Sequence, residues 1–434
     1  MPLAANLKPQ DNSAAVYFPI AARSDKSNEF DWEIVTRFFV GALFSIESNE
    51  KKLIGFQQRC KDHFLAKLSD PGLWGVIEQI YFSKRNIKNI APEMLIFSGS
   101  WDAEANPAPA ERIVNVMMTL LGDMGFQSSD NLKLNFIEKE LRKVFQAEFK
   151  PTNSAKQKLP ATPYLPAVAE MFQQDLQFLL TKQHYFLAHL KHFLRFYLFI
   201  YTTQLALAIN SWKDGAPQRL RNCYFILDTE KASKERSMLQ QWGCKRVEQD
   251  IEYLFPVLAM NESLQDGKQG ILPLWALHEQ LVPEDLGKLI TYVNLFAVDR
   301  KLSVDTIGIT SVPQALEALL KLSKQQFDRG ETRSGPGNNY INFTKTAICG
   351  PFTRTRGSAG KVFVLNQEFL LLLTNLAIGE QGSMRLHELI GEFKKRGVFL
   401  DRESQTALVE FYERLGNVER MSDSGDAVYV KATI

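Results

Sequence analysis

Residues 164–212 read YLPAVAEMFQQDLQFLLTKQHYFLAHLKHFLRFYLFIYTTQLALAINSW, and no Pro or Gly falls between Pro166 and Gly215. Apolar residues recur three or four apart, with Phe172, Leu176, Leu179, Phe186, Leu190, Phe193, Tyr197, Tyr201, Leu205 and Ala208 marking one helical face. From Phe193 to Ile209 the helix is apolar on every side, which predicts burial at the centre of a sizeable domain. A membrane segment is the competing possibility. The charge-free run from Phe196 to Ile209 is shorter than the roughly 18–20 residues that span a bilayer, and Lys191, His192 and Arg195 share the helix. A buried helix is therefore expected, with no membrane contact.

A chain of 434 residues predicts two or three domains, and 45% hydrophobic with 23% charged residues marks it as globular. Its 51 basic and 49 acidic side chains leave a net charge of +2, so nucleic-acid binding would need a local patch. Cys60, Cys223, Cys244 and Cys349 form no CxxC pair, and no His is spaced to complete a zinc site. They read as reduced thiols of a cytoplasmic protein. The opening MPLAANLKPQDNSAAVYF has neither a basic n-region nor an apolar run of signal length, so no secretion signal is expected.

Before the long helix, helical spacing covers Glu29–Ile46, Glu50–Leu68 and a segment to about Ser83 that Asp70-Pro71 introduces as N-cap and first residue. A small-residue loop, Ser100–Glu111, precedes helices over Ala110–Met124 and Asn131–Phe149. The expected organisation is a helical domain over 1–150, a Pro- and Lys-rich linker over 151–166, and a central helical domain over 167–327 built on the 166–210 helix. A basic loop over 328–360 and a C-terminal module over 361–434 follow. In the central part, CYFIL (Cys223–Leu227) predicts a strand ending at Asp228, and Glu230–Gln241 a charged helix. Further helices are expected over Pro273–Gln280, Pro283–Val298 and Val312–Phe327, the last with a capping box from Ser311 and Gln314.

Between Asp328 and Lys361 the sequence is rich in Gly, Ser, Thr and Asn. Arg329, Arg333, Lys345, Arg354, Arg356 and Lys361 stand there against Asp328 and Glu331, a local excess of four positive charges. Such a segment can track a phosphate backbone, meet a partner protein, or be a solvated loop without function. Beyond it, a strand (Lys361–Asn366) and helices over Gln367–Ile378, Met384–Arg396 and Arg402–Leu415 are expected, the last with Asp401 as N-cap and Gly416 at its end. Two strands, Val418–Met421 and Ala427–Lys431, flank the turn Ser422–Asp426. Helices joined by a tight turn and followed by a hairpin are the order of a winged helix-turn-helix. The expected fold class is thus mainly α, multi-helical, with a small mixed α/β element and a C-terminal winged-helix-like module. Its last helix exposes Arg402 and Gln405 but also Glu403 and Glu410, and its wing tip carries Asp423 and Asp426, which would repel phosphate. Lys394, Lys395 and Arg396 partly compensate, and both a DNA-reading and a protein-docking role stay open.

Catalytic signals fail on inspection. Gly357–Val362 resembles a phosphate loop only superficially: the GxxxxGK[ST] spacing is absent, Val362 stands where Ser or Thr would meet Mg²⁺, and a strand follows. Asp228 and Glu230 could be half of a metal-dependent nuclease centre, or Asp228 could cap a turn. His184, His189 and His192 share the long helix with Lys182, Lys191 and Arg195, which would repel a cation, and read as its polar edge. No catalytic residue, metal site or cofactor is assigned.

FLRFYLFIYTTQLALAIN (193–210), CYFILDTEKASKER (223–236) and GVFLDRESQTALVEFYERLGNVERMSDSGDAVYVK (397–431) resemble the DndG family, also called DptG. The resemblance implies a cytoplasmic subunit of a bacterial DNA phosphorothioation-dependent restriction system. It would work with DndF/DptF-like and DndH/DptH-like partners of NTPase or helicase type against DNA lacking the mark, and it brings no catalytic residues. The expected function is an accessory, non-catalytic subunit that docks these partners and contacts DNA. The candidate DNA-binding residues are Arg329, Arg333, Lys345, Arg354, Arg356, Lys361, Lys394, Lys395 and Arg402. A metal-dependent nuclease and a pure assembly scaffold are the alternatives.

Overall fold

The computed structural model describes residues 3–10, 13–21, 28–47, 50–99, 106–126, 132–151, 162–267, 270–331, 333–421 and 427–434. Most of the expected linker, the start of the loop at Ser100 and the wing tip with Asp423 and Asp426 lie outside the described residues. With 63% helix and 6% strand, the fold is mainly helical with a small mixed sheet.

The N-terminal part builds α1 (Trp32–Leu43), α2 (Glu50–Leu65), α3 (Leu73–Ile77), α4 (Ala108–Leu121) and α5 (Phe136–Glu148). A π-helical turn carries α3 on to Ser83. Local chemistry sets several of these ends: the Asp31 side chain accepts from the Glu33 N–H, and Asn135 and Glu138 cap each other at the start of α5.

The long central pattern is two helices, α6 (Pro166–Thr181) and α7 (Gln183–Ala208), which corrects the expectation of one helix over 166–210. Lys182 leaves helical geometry with φ −109 and ψ 74, and the chain folds back. The Phe172 ring centroid lies 5.2 Å from that of Phe193 and 5.1 Å from that of Tyr197. In one continuous helix, the Cα atoms of Phe172 and Phe193 would stand about 31 Å apart. No Pro or Gly marks the corner; there Glu380 accepts from Thr181 and pairs with Lys182 at the surface, and the two helices pack through Phe172, Phe193 and Tyr197. All ten residues of the expected apolar face are buried. Among the described residues, no helix is long and apolar enough to cross a membrane.

After α7 come β1 (Tyr224–Leu227), α8 (Ser237–Trp242), α9 (Cys244–Asp250), α10 (Leu254–Ser263), α11 (Leu274–Gln280), α12 (Leu286–Arg300), α13 (Val312–Gln325) and α14 (Ser334–Phe343). The remainder is β2 (Thr353–Arg356), β3 (Gly360–Leu365), α15 (Gln367–Ile378), β4 (Ser383–Arg385), α16 (Leu386–Lys395), β5 (Phe399–Leu400), α17 (Arg402–Leu415), β6 (Val418–Met421) and β7 (Ala427–Lys431).

Three expectations change here. The charged helix begins only at Ser237, because Glu230 folds back to accept from the Leu227 N–H at 2.6 Å and Arg236 turns inward. Gln314 accepts from the Thr310 N–H and Ser311 makes no side-chain cap, so the capping box is not formed. The segment after Asp328 is folded: it supplies α14 and β2, and Tyr340, Ile348, Cys349 and Phe352 within it are buried. Pro336 sits in the first turn of α14, where its missing N–H costs nothing.

One sheet has the strand order β2-β3-β1-β5, with β1 parallel to both β3 and β5 and β2 antiparallel to β3. It draws strands from both sides of residue 361. On one face, Phe199 of α7 packs against Phe225, Phe352 and Phe363. On the other, Ile226, Val362 and Val364 cluster with Leu239 of α8. The second sheet is antiparallel, order β4-β7-β6.

Glu262 at the end of α10 anchors the N-terminal arm, accepting from the Val16 N–H at 2.9 Å and the Ala15 N–H at 3.2 Å. Burial pushes its carboxyl up from 4.5 to about 7, against those hydrogen bonds. The native chain therefore holds a proton that the unfolded chain has released, so this contribution to stability is complete below 4.5 and is lost as pH rises through about 7. The urea midpoint should fall between about pH 5 and about pH 8, and Glu262→Gln should flatten that fall. An identical slope in the variant would place the titration on another group.

Candidate functional site

Three of the expected DNA-contacting cations lie on the β2–β3 hairpin but on both of its faces: Arg354 and Arg356 share the face of Val362, and Lys361 the face of Phe363. In the β2–β3 register Arg354 lies opposite Val362, Thr355 opposite Lys361 and Arg356 opposite Gly360. Arg354 is exposed, and its guanidinium reaches only backbone carbonyls, including Thr353 O at 2.8 Å. Arg356 pairs with Asp228 at 2.8 Å, and Lys361 with Glu248 at 3.1 Å. Lys345 precedes the hairpin, in the π-helical turn Thr344–Ile348. Among the described residues neither Lys345 nor Arg354 has a carboxylate partner.

The other five candidates sit apart. Arg329 and Arg333 lie in the turn that precedes α14. Lys394 and Lys395 end α16, with Lys395 paired to Glu392 at 2.6 Å, and Arg402 opens α17. The latter three flank β5, at the opposite sheet edge from β2, about 14 Å away at three strand spacings.

The start of α17 is locked onto the sheet. Asp401 caps the helix through the Ser404 N–H and takes two hydrogen bonds from Arg236, at 2.8 and 2.5 Å. Arg236 also reaches Glu230 at 2.9 Å and the Ser404 hydroxyl at 2.7 Å. Burial opposes the charge on Asp401, but hydrogen bonds from Arg236 and Ser404 outweigh it and hold the carboxyl below its ordinary value. Ser404 is fully buried, and β5, the connection between α16 and α17, is itself a strand of the first sheet. The start of α17 is thereby fixed to the sheet on one side, while Arg402 and Glu403 remain exposed on the other.

The same network decides the two carboxylates considered for a metal. Both oxygens of Glu230 are occupied, one by the Leu227 N–H and one by Arg236 and Ser404, while Asp228 turns to Arg356. Among the described residues, no group of three or more His, Cys, Asp or Glu side chains could hold a metal ion. His192 meets Glu368 of α15 at 3.1 Å, and burial holds the imidazoles of His189 and His192 below their ordinary value. The four cysteines are unpaired and buried, and burial pushes the Cys60 and Cys244 thiols up to about 12, leaving little thiolate for chemistry.

The sequence offered no sign of a pocket of about 330 Å³ at the carboxyl ends of β1 and β3, between α15 and α17. Its floor is Leu227, Leu365, Leu370 and Phe411, and Thr229, Gln367 and Arg414 stand at its mouth. Asp228, at its edge, links it through Arg356 to the β2–β3 hairpin. No protein-family model matches this chain, and a comparison with curated proteins finds no match.

Proposed function

We propose that this protein is an accessory, non-catalytic subunit of a phosphorothioation-dependent DNA restriction complex, as its resemblance to the DndG family implies. In this role it docks DndF- and DndH-like partners and holds DNA along the β2 edge. The observation that supports the DNA contact is the exposed β2–β3 hairpin with Arg354, Arg356 and Lys361 and with Lys345 before it, Lys345 and Arg354 having no carboxylate partner among the described residues. The order α15, β4, α16, α17, β6, β7 and the antiparallel β4-β7-β6 pairing support a winged-helix-like module. With the α16–α17 connection held in another sheet and Glu403, Glu410 and Glu413 exposed on α17, that module serves as a docking body rather than a groove reader. Partner docking rests on the resemblance; Val298 on α12 and Ile307 in the loop after it, 78% and 93% exposed, are positions at which to probe it.

Phosphate contacts release counterions, so affinity should fall steeply with salt. Changing Lys345 and Arg354 together to Glu should weaken retention of a short DNA duplex at low salt by at least about tenfold and lower the slope of log K against log salt by about two. Electrophoretic shift across a salt series measures both. An unchanged shift would remove the DNA contact, and a wild-type chain that retains partners but never shifts DNA would be an assembly scaffold.

A further inference from the structure

The pocket between α15 and α17 combines features that a small anionic ligand would use. It opens at the carboxyl ends of parallel strands, and β3 and β5 leave β1 on opposite sides, the crossover at which open α/β sheets leave a crevice for ligands. Its volume of about 330 Å³ stands at the small end of ligand pockets, room for one ring system with its substituents and too little for a dinucleotide. The apolar floor of Leu227, Leu365, Leu370 and Phe411 suits the face of a flat ring. Thr229 and Gln367 bring hydrogen-bonding side chains to the mouth, and among the described residues neither is engaged by another protein group.

Two positive features meet there. Arg414 lines the pocket and has no carboxylate partner among the described residues. Gln367 is the first residue of α15, whose start is partly satisfied by the Asn366 cap on the Phe369 N–H and carries Glu368, leaving the remaining first-turn N–H groups of the helix at this end. A doubly charged phosphate would use both.

From these features we infer that the pocket binds a single nucleoside monophosphate unit, with its base on the Leu and Phe floor and its phosphate between Arg414 and the start of α15. The unit can come from a free mononucleotide or from the end of a DNA strand. The strand-end source rests on the DNA contact proposed above, whereas the pocket assignment does not.

Titration calorimetry of the full chain with each of the four 5′-deoxynucleoside monophosphates tests the free source. Fluorescence anisotropy with a labelled, 5′-phosphorylated single strand tests the other. Arg414→Glu and Thr229→Trp, both at exposed positions, should each weaken binding at least about tenfold with unchanged thermal unfolding. Unphosphorylated deoxynucleosides should bind more weakly than the monophosphates. Saturable mononucleotide binding lost in both variants supports a free ligand, and strand binding alone, lost in both, supports a DNA end. No saturable binding of either probe, or binding that both variants leave intact, overturns the inference. Lys345→Glu/Arg354→Glu separates the two claims: duplex retention that falls in this variant while no probe enters the pocket sinks the pocket alone. Mononucleotide binding in a chain that never shifts duplex DNA sinks the DNA contact alone.

Discussion

Replacing Arg396 by Met should cost about 3–5 kcal/mol of stability, because it leaves Asp175 buried without a counter-charge. The side chains of Arg396 and Asp175 are only 5% and 2% exposed, and the guanidinium meets the carboxylate through two parallel hydrogen bonds of 2.8 and 2.6 Å. Tyr197 donates a third to the same carboxylate, and Arg396 also holds Glu392 and the Leu376 carbonyl. This cluster ties the α6–α7 corner to α16. Burial raises the Asp175 pKa against the opposing charge and hydrogen bonds of Arg396, while the Asp175 charge and hydrogen bonds raise the Arg396 pKa above its ordinary value against burial, so each group's charge depends on the other. Removing both charges with Asp175→Leu/Arg396→Met should recover most of the loss, since a buried ion pair offsets little more than its own desolvation. Urea unfolding of the two variants measures this. A single-variant loss under about 1 kcal/mol would mean that water reaches Asp175.

Phe199→Ala should cost about 3–5 kcal/mol, the range for emptying an aromatic core position. The Phe199 ring stacks on Phe352 at 4.1 Å and meets Phe363 at 5.1 Å and Phe225 at 5.8 Å, edge-on in both cases. It therefore joins α7 to β1, to β3 and to the turn that precedes β2. The consequence reaches the proposed DNA edge, whose register depends on this packing. Amide exchange in β2 and β3 should accelerate more than in α1 or α4, and Phe199→Leu should lose less than half as much stability as Phe199→Ala. Uniform acceleration across the chain, with no excess in the hairpin, would show that Phe199 does not hold this edge in place.

Where ends are set by neighbours in sequence, they were legible. The bounds of α17 follow from Asp401 as N-cap and Gly416 in left-handed geometry at φ 73, and those of β6 and β7 from strand alternation, while Asn366, expected to end the preceding strand, caps α15 at the expected start. Elements formed by distant contacts were not. β4 and β5 are three and two residues long, too short for any pattern to show. α10 went unread because nearly every residue from Leu254 to Asn261 is buried, which leaves no amphipathic period, and Pro256 lies within it. The site divides the same way. The nine candidate cations could be named from composition, but their distribution over the two faces of the β2–β3 hairpin, the turn before α14 and the β5 edge could not, and neither could the pocket.

By itself, the sequence determined a mainly helical chain, the burial of the 164–212 stretch and the charge excess after Asp328, because hydropathy, capping and charge are properties of neighbouring residues. Tertiary structure alone decided that the stretch breaks at Lys182, that the basic segment is folded, and that Asp228 and Glu230 are turned to arginines. Each of these involves a partner from elsewhere in the chain: Glu380 at the corner, Phe199 beneath the basic segment, Arg356 on Asp228, and Asp401 holding Arg236 beside Glu230. No local pattern encodes a contact between residues a hundred or more positions apart, and such contacts set which side chains meet.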